Sequence, residues 1–223
     1  MNEMKRFEQI DWGLIPYAEA FAKQEQIFNL CLQQKLQGLE THDKLIFCEH
    51  PHVITLGKNG LYNNLLYSED FLKDKNVSVF RSNRGGDLTY HGPGQMVVYP
   101  IFNLEKYNLG LKSYINLLEE LVISLLKLYD IKGQRLPGAT GVWLEVENSS
   151  KTRKICAMGV KCSRYITMHG LALNVNTDLD YFKLINPCGF TDKGVSSIEN
   201  ELKKKINMDV LKSQAHELFQ SLF

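Results

Sequence analysis

Net charge is nearly absent from this sequence: 26 Lys and Arg against 25 Asp and Glu leave +1 over 223 residues. No global field is available to gather nucleic acid or an anionic membrane. Long apolar runs are missing too, since none approaches the ~20 residues of a membrane-spanning helix. The N-terminal MNEMKRFEQIDW is charged where a signal peptide would be apolar. Cysteine is sparse and irregular: Cys31, Cys48, Cys156, Cys162 and Cys188 are odd in number and form no CxxC pair. That is no disulfide framework, and it fits a reducing compartment. A zinc site built from Cys156, Cys162, His169 and Cys188 would need gaps that match no usual ligand spacing, so no metal is expected. These absences point to a cytoplasmic protein with neither nucleic acid nor membrane as partner.

What is present suits one domain over residues 1–223. Hydrophobic residues make up 44% and charged ones 23%, ordinary globular usage at a length that allows a substantial core. Leu14, Tyr17, Ala18, Phe21, Phe28, Cys31 and Leu32 recur mostly at helical steps, with Gly38 as a stop. KLIFCEH and HVITLG read as short strands broken at Pro51. Ser68 starts a short helix with Glu69 and Asp70 in its first turn, and residues 77–80 form a strand. Residues 81–104 are a glycine-rich loop running into an apolar strand. A strong helix covers 111–130, strands at 141–146 and 154–160 form a hairpin, and 165–175 is a further strand. A short helix near 178–184 and a closing helix over 207–222 complete the chain. Several strands and long helices without a βαβ rhythm predict an α+β fold.

Two stretches carry candidate chemistry. In NPCGF (186–190), Pro187 and Gly189 constrain the backbone about Cys188. A free cysteine is usually an inert core residue, but a Pro-Cys-Gly sequence is a poor place to hide one, and glycine leaves backbone N–H groups accessible to an oxyanion. Such a thiol needs help to ionise at neutral pH. Lys154, at the head of the apolar KICAMGV, lowers a nearby thiol's pKa if it points inward and is a solvated edge lysine if it does not. In RGGDLTYHGPG (84–94), glycines around charged and aromatic residues allow a ligand close to the backbone, yet the stretch is neither GxGxxG nor GxxxxGKS. His91 and His169 are each open to a role as base or as structural histidine.

Together EHPHVITLGK (49–58), RGGDLTYHGPGQMVVYPI (84–101), KICAMGVK (154–161), TMHGLALNVNTDL (167–179) and INPCG (185–189) resemble the lipoate-protein ligase B family, octanoyl-[acyl-carrier-protein]:protein N-octanoyltransferases. The pieces run in the family's order and cover most of residues 45–200. The resemblance implies an α+β fold, a mixed β-sheet with flanking helices shared with biotin and lipoate protein ligase catalytic domains. It implies Cys188 as the nucleophile that becomes an octanoyl thioester, with Lys154 lowering its pKa. It assigns acyl binding to Arg84, Gly85, Gly86, Asp87, Leu88, Thr89, Tyr90 and His91, to Ala157, Met158 and Gly159, and to Gly170, Leu171 and Ala172. Octanoyl-acyl carrier protein is the implied donor. Lipoyl domains of 2-oxoacid dehydrogenase E2 subunits and the glycine cleavage H protein are the implied acceptors. No metal, nucleotide or other cofactor is called for. Cys156 stands where the family pattern has a small residue such as alanine.

The donor and acceptor domains of that family are expected to be acidic, and Lys58, Arg81, Lys151, Arg153, Lys161 and Arg164 flank the matched segments as a candidate basic rim. Three other readings compete: an ATP-dependent lipoate or biotin ligase of the same fold, a thiol hydrolase pairing Cys188 with His169, and a non-catalytic module that binds acylated carrier or lipoyl domains.

Overall fold

The computed structural model describes residues 7–186 and 193–223, so Cys188 lies outside the described residues. The larger of two sheets has eight strands. Seven follow the order β1 (Glu8–Leu14), β2 (Lys44–Glu49), β6 (Gln95–Ile101), β10 (Ile166–Asn174), β9 (Arg153–Ser163), β8 (Ala139–Leu144) and β7 (Gln134–Leu136). The short β11 (Gly194–Val195) lies parallel to β9, and β1 is parallel to β2; the other neighbours are antiparallel. A second sheet orders β4 (Ser78–Arg81), β3 (Val53–Leu56) and β5 (Leu88–His91). This is the mixed α+β architecture that the sequence pattern implies.

The sheet's two faces are covered differently. On one lie α3 (Leu111–Lys127) and α5 (Met208–Leu222), packed on Met96, Val98, Leu171 and Leu173 around a continuous apolar core. On the other lies α1 (Tyr17–Leu36), which buries Ala20, Phe28 and Cys31 against Ile46, Val97, Tyr99 and Met168. The small sheet, α2 (Glu69–Asp74) and the 3-10 turn Leu179–Leu184 share a third cluster containing Ile54, Leu56, Leu72 and Tyr90. Among the described residues no helix is long and apolar enough to cross a membrane.

Local chemistry sets most boundaries. Ser68 caps α2 by accepting the Phe71 N–H (3.3 Å), and Asn207 caps α5 through two N–H groups. The first helix begins later than the apolar spacing suggests: Pro16 precedes it, and Leu14 belongs to an edge strand. That strand, β7, β5, β11 and α4 (Ile198–Leu202) are elements the pattern did not disclose. Leu88–His91 is hidden because its alternation joins Thr and His to Leu and Tyr, yet all four are buried.

Candidate functional site

Lys154 reaches the second face through an irregularity in the sheet. Val142 pairs with Cys156, but Trp143 pairs with Lys154, so β9 carries one extra residue at Ile155. Ile155 and Cys156 both pack into the apolar core. Strict alternation from Cys156 would turn Lys154 to that core as well. The bulge re-aims it, as bulges do beside functional sites, and Lys154 lines a cleft on the opposite face with its Nζ 4.5 Å from the Trp143 ring centre.

The cleft measures about 910 Å³ including its open mouth. Its floor is a patch of small residues on two paired strands, Ala157 opposite Ala172 and Gly159 opposite Gly170. The glycines are sterically required. A Cβ at Gly159 would lie 2.6 Å from the Gly85 carbonyl oxygen, and one at Gly170 would lie 2.2 Å from that of Val98. Val97, Leu88 and Phe182 add apolar wall.

Beneath and beside this floor runs a chain of hydrogen bonds. Arg84 donates to the Thr55 carbonyl (2.7 Å), to Thr55 Oγ1 (2.9 Å) and to the Gly85 carbonyl (3.0 Å). With Arg84 donating to it, Thr55 Oγ1 turns its own proton to His91 Nε2 (3.2 Å), and His91 Nδ1–H donates to Gln95 Oε1 (2.7 Å). Gln95 donates to Asn174 Oδ1 (2.9 Å), and Asn174 donates to the Ser196 carbonyl (2.9 Å). The Ser196 N–H donates to the Lys154 carbonyl (2.9 Å), so the chain links both ends of the cleft.

Both ring nitrogens of His91 are spent in this chain, and burial beside His50 and Arg84 holds it far below the usual histidine range. Its ring is a fixed link in this chain. His169 has φ +64°, and its Nε2–H donates to Asn83 Oδ1 (2.7 Å), while Asn83 donates to Glu25 (3.3 Å). Burial and the charges of Arg84 and Lys161 bring its pKa down to about 3. It faces Val160, six residues along β9 from Lys154, or about 20 Å at ~3.3 Å per residue.

Most residues implied by the resemblance converge here: Arg84, Gly86, Asp87, Leu88, Thr89, His91, Ala157, Met158, Gly159, Gly170, Leu171, Ala172 and Lys154 all line the cleft. Two do not. Tyr90 alternates to the other side of β5, where its hydroxyl meets His52 Nδ1 (2.7 Å) and its ring stacks on Tyr181 (5.2 Å). Gly85 stitches the loop to β9 through its N–H and the Val160 carbonyl (3.0 Å). Cys156 and Cys162 lie six residues apart on one strand, too far to share a metal, and no metal-ligand cluster occurs among the described residues. Burial raises the thiols of Cys31, Cys48, Cys156 and Cys162, which makes each a poor nucleophile. Arg153 is neutralised by Glu145 and Glu201, both at 2.7 Å, and drops out of the expected basic rim. Trp143, Gln95 and Asn174 were not singled out from sequence, and Tyr17 was read only as part of the first helix. Gln95 and Asn174 had a signal, being amides in otherwise apolar strands.

The described residues on either side of Cys188 are tied to the body of the protein. Asn186 donates its N–H to the Asn64 carbonyl (2.9 Å), Lys193 lines the cleft, and Val195 pairs with Lys154.

Comparison with known proteins gives the family and the fold. A protein named octanoyltransferase from Parabacteroides distasonis is 53% identical over 220 residues, covering 99% of this chain and all of that one. Another from Bacteroides thetaiotaomicron is 55% identical over 205 residues, 92% of this chain and 90% of its own. A lipoate-protein ligase A solved with ATP has the same fold, with a TM-score of 0.70 at 14% identity over 97% of this chain and 85% of that one. The bipartite lipoate protein ligase of Thermoplasma acidophilum matches at 0.69 and 15% identity over 97% and 83%. The model of the lipoyl protein ligase A/B catalytic domain matches residues 16–220, and the chain belongs to that family.

Proposed function

We propose that this protein takes the octanoyl group from octanoyl-acyl carrier protein and transfers it to a specific lysine of lipoyl domains, through a thioester on Cys188. The acceptors in this reading are lipoyl domains of 2-oxoacid dehydrogenase E2 subunits and the glycine cleavage H protein. One observation carries the catalytic assignment: Val195 pairs with Lys154, and the chain between the anchored Asn186 and Lys193 contains Cys188. The octanoyltransferase relatives support the substrate class.

Each proton has a place. The Cys188 thiolate attacks the octanoyl carbonyl carbon, a new C–S bond forms, and the carrier's thiolate leaves with a proton from the Lys154 ammonium. The acceptor lysine then attacks as a free amine; the C–N bond forms and the C–S bond breaks. Neutral Lys154 takes the amine's proton, and Cys188 returns to the thiolate. One thioester replaces another at little net cost, and the amide makes the second step downhill. Backbone N–H groups beside Gly189 are the candidate oxyanion donors for both. The small-residue floor takes the acyl tail, whose six methylenes contribute roughly 5 kcal/mol before entropic costs at ~0.8 kcal/mol each.

Intact mass spectrometry after mixing with octanoyl-acyl carrier protein tests this reading. The wild type should gain one octanoyl group without ATP, and Cys188→Ala should gain none and transfer nothing. Turnover by Cys188→Ala, or a strict need for ATP, would replace the covalent mechanism with adenylate chemistry.

A further inference from the structure

The cleft floor runs in rows across three strands. Val97 of β6 lies opposite Ala172, and Ala172 lies opposite Ala157. Two residues on, about 7 Å further from Lys154, Gly170 lies opposite Gly159, and the same register brings Tyr99 beside Gly170. A row of one valine and two alanines is thus followed by a row of one tyrosine and two glycines. Tyr99 and Tyr17 both line the cleft. Each is pinned through its hydroxyl to the surrounding structure. Tyr99 donates to His50 Nε2 (2.6 Å), and His50 Nδ1–H donates to the Ile15 carbonyl (2.7 Å). Tyr17 donates to Ser82 Oγ (3.3 Å) and stacks on His91 (5.7 Å). Phe80 and Phe21 pack against Tyr17, with ring centres 5.1 and 6.4 Å away, and Phe21 lies 5.9 Å from the His169 ring. The first two turns of α1 therefore close this end of the cleft with packed rings.

We propose that Tyr99 sets the length of the acyl chain that the cleft accepts, its ring being the end wall of the row of glycines. This rests on the acyl-binding reading of the cleft above and adds the point at which the tail must stop. Each methylene buried short of the wall strengthens binding by about fourfold. One that reaches the wall has to displace a ring in a close-packed surrounding, and overfilling such a place is itself unfavourable. Tyr99 is the wall residue that stands on a floor strand, in line with Gly170 and Gly159, where the trench has no side chains of its own. Tyr17 belongs to the covering helix and is backed by Phe21 and Phe80, so it supports the wall from behind. Burial keeps both phenols protonated, and the closed end carries no phenolate charge against an apolar tail.

Calorimetric titration of the full chain with the N-methylamides of hexanoic, octanoic and decanoic acids tests this with probes that neither react nor carry charge. In the wild type, affinity should rise from the hexanoyl to the octanoyl amide by about fourfold per methylene and rise no further at the decanoyl amide. Tyr99→Leu should raise the decanoyl-to-octanoyl affinity ratio roughly tenfold. Tyr99→Phe keeps the ring and should restore the wild-type ratio. Because Tyr99→Leu also removes a buried hydrogen bond and can fail to fold, Val97→Phe provides an independent arm. It fills the row before the wall and should shift the preference to the hexanoyl amide. Leu121→Ala loosens the core on the opposite face and should leave every ratio unchanged, which separates a length limit from general loosening. A wild type whose affinity keeps climbing to the decanoyl amide overturns the proposal. So do a folded Tyr99→Leu protein with the wild-type ratio, an equal shift in Leu121→Ala, and a wild type that binds none of the amides. The octanoyl adduct seen by intact mass judges the acyl-enzyme reading separately. An adduct with a flat ratio keeps that reading and removes Tyr99 as its limit. A shifted ratio without an adduct keeps the length limit and sinks the thioester.

Discussion

The two faces of the large sheet are built from the same strands and solve opposite problems. Under α3 and α5, alternate residues of β6, β10 and β9 meet a continuous apolar layer that includes Leu121, Leu125, Phe219 and Phe223. Buried charge there is rare and matched: Glu119 accepts from Arg135 (3.1 Å) and from the Gly141 N–H. On the other face the intervening residues are Gln95, Tyr99, Asn174 and small residues, overlaid by His50, Thr55, Arg84, His91 and His169. Arg84, Thr55, His91, Gln95 and Asn174 are joined in donor-to-acceptor order, and His50 meets Tyr99, which removes much of the cost of burying them. The first face spends its surface on stability. The second keeps a hollow open, and its polar scaffold fixes the hollow's shape.

A paired substitution should separate the two. Leu121→Ala, on the apolar face, should cost about 2–5 kcal/mol in urea unfolding while leaving kcat per folded molecule intact. Gly159→Val places carbon where a Cβ already lies 2.6 Å from the Gly85 oxygen, on the floor of the cleft. It should cut kcat/KM for the octanoyl donor on the order of 100-fold, equivalent to losing about half of the tail's burial. A Gly159→Val enzyme with normal kcat/KM would mean that the acyl chain lies elsewhere.

The apolar face was legible in the sequence and the cleft face only in part. Helical spacing at Tyr114, Leu118, Leu121 and Leu125 exposes α3 directly, because one periodic stripe meets one flat layer. Gln24 breaks the same reading in α1: it is buried, with its Oε1 accepting the His169 N–H (3.1 Å), although its type suggests solvent. The motif residues were found because glycine, arginine and histidine stand out by type. The direction of Lys154 was not, since it depends on a one-residue bulge at Ile155 that no spacing rule announces. Likewise, Tyr90 and Thr89 are neighbours in one motif and opposite in direction, which only the pleat of β5 decides.

The contrast also predicts an acid limit. His50 donates Nδ1–H to the Ile15 carbonyl (2.7 Å) and accepts from the Tyr99 hydroxyl at Nε2 (2.6 Å), and burial brings its pKa down to about 4. His169 lies at about 3, and His91 is far below the ordinary value. All three are neutral in the fold and take up protons on unfolding below ~6.5. Their contribution is therefore complete above pH 6.5 and is lost as the pH falls from there toward 4. By pH 5.5 each should cost roughly 1.4 kcal/mol, about 4 kcal/mol together. Asp43, whose carboxyl burial raises, offsets part of it. Urea unfolding between pH 7.5 and 5 should show an uptake approaching three protons, reduced by one in His50→Gln. An uptake below one proton would mean that the cleft-face histidines are already charged in the native protein.

The smallest expected effect concerns Asp87, which lines the cleft but also ties two segments together. Its Oδ2 accepts from Asn64 Nδ2 (2.8 Å), and the Asn64 carbonyl accepts the N–H of Asn186, two residues before Cys188. The Leu65–Ile185 bridge and the Leu66 N–H on the Leu184 carbonyl (3.1 Å) run alongside. Two parallel tethers make the side-chain link supporting rather than essential. Asp87→Ala removes the acceptor and should slow octanoylation of Cys188 several-fold, consistent with one hydrogen bond of about 1 kcal/mol. Asp87→Asn keeps an oxygen for Asn64 and should stay near the wild-type rate, with KM for the donor unchanged in both. If Asn were as slow as Ala, the negative charge itself would matter, and Asp87 would act on a bound cationic group such as the acceptor's lysine. If both matched wild type, the Leu65–Ile185 tether would be holding the segment alone.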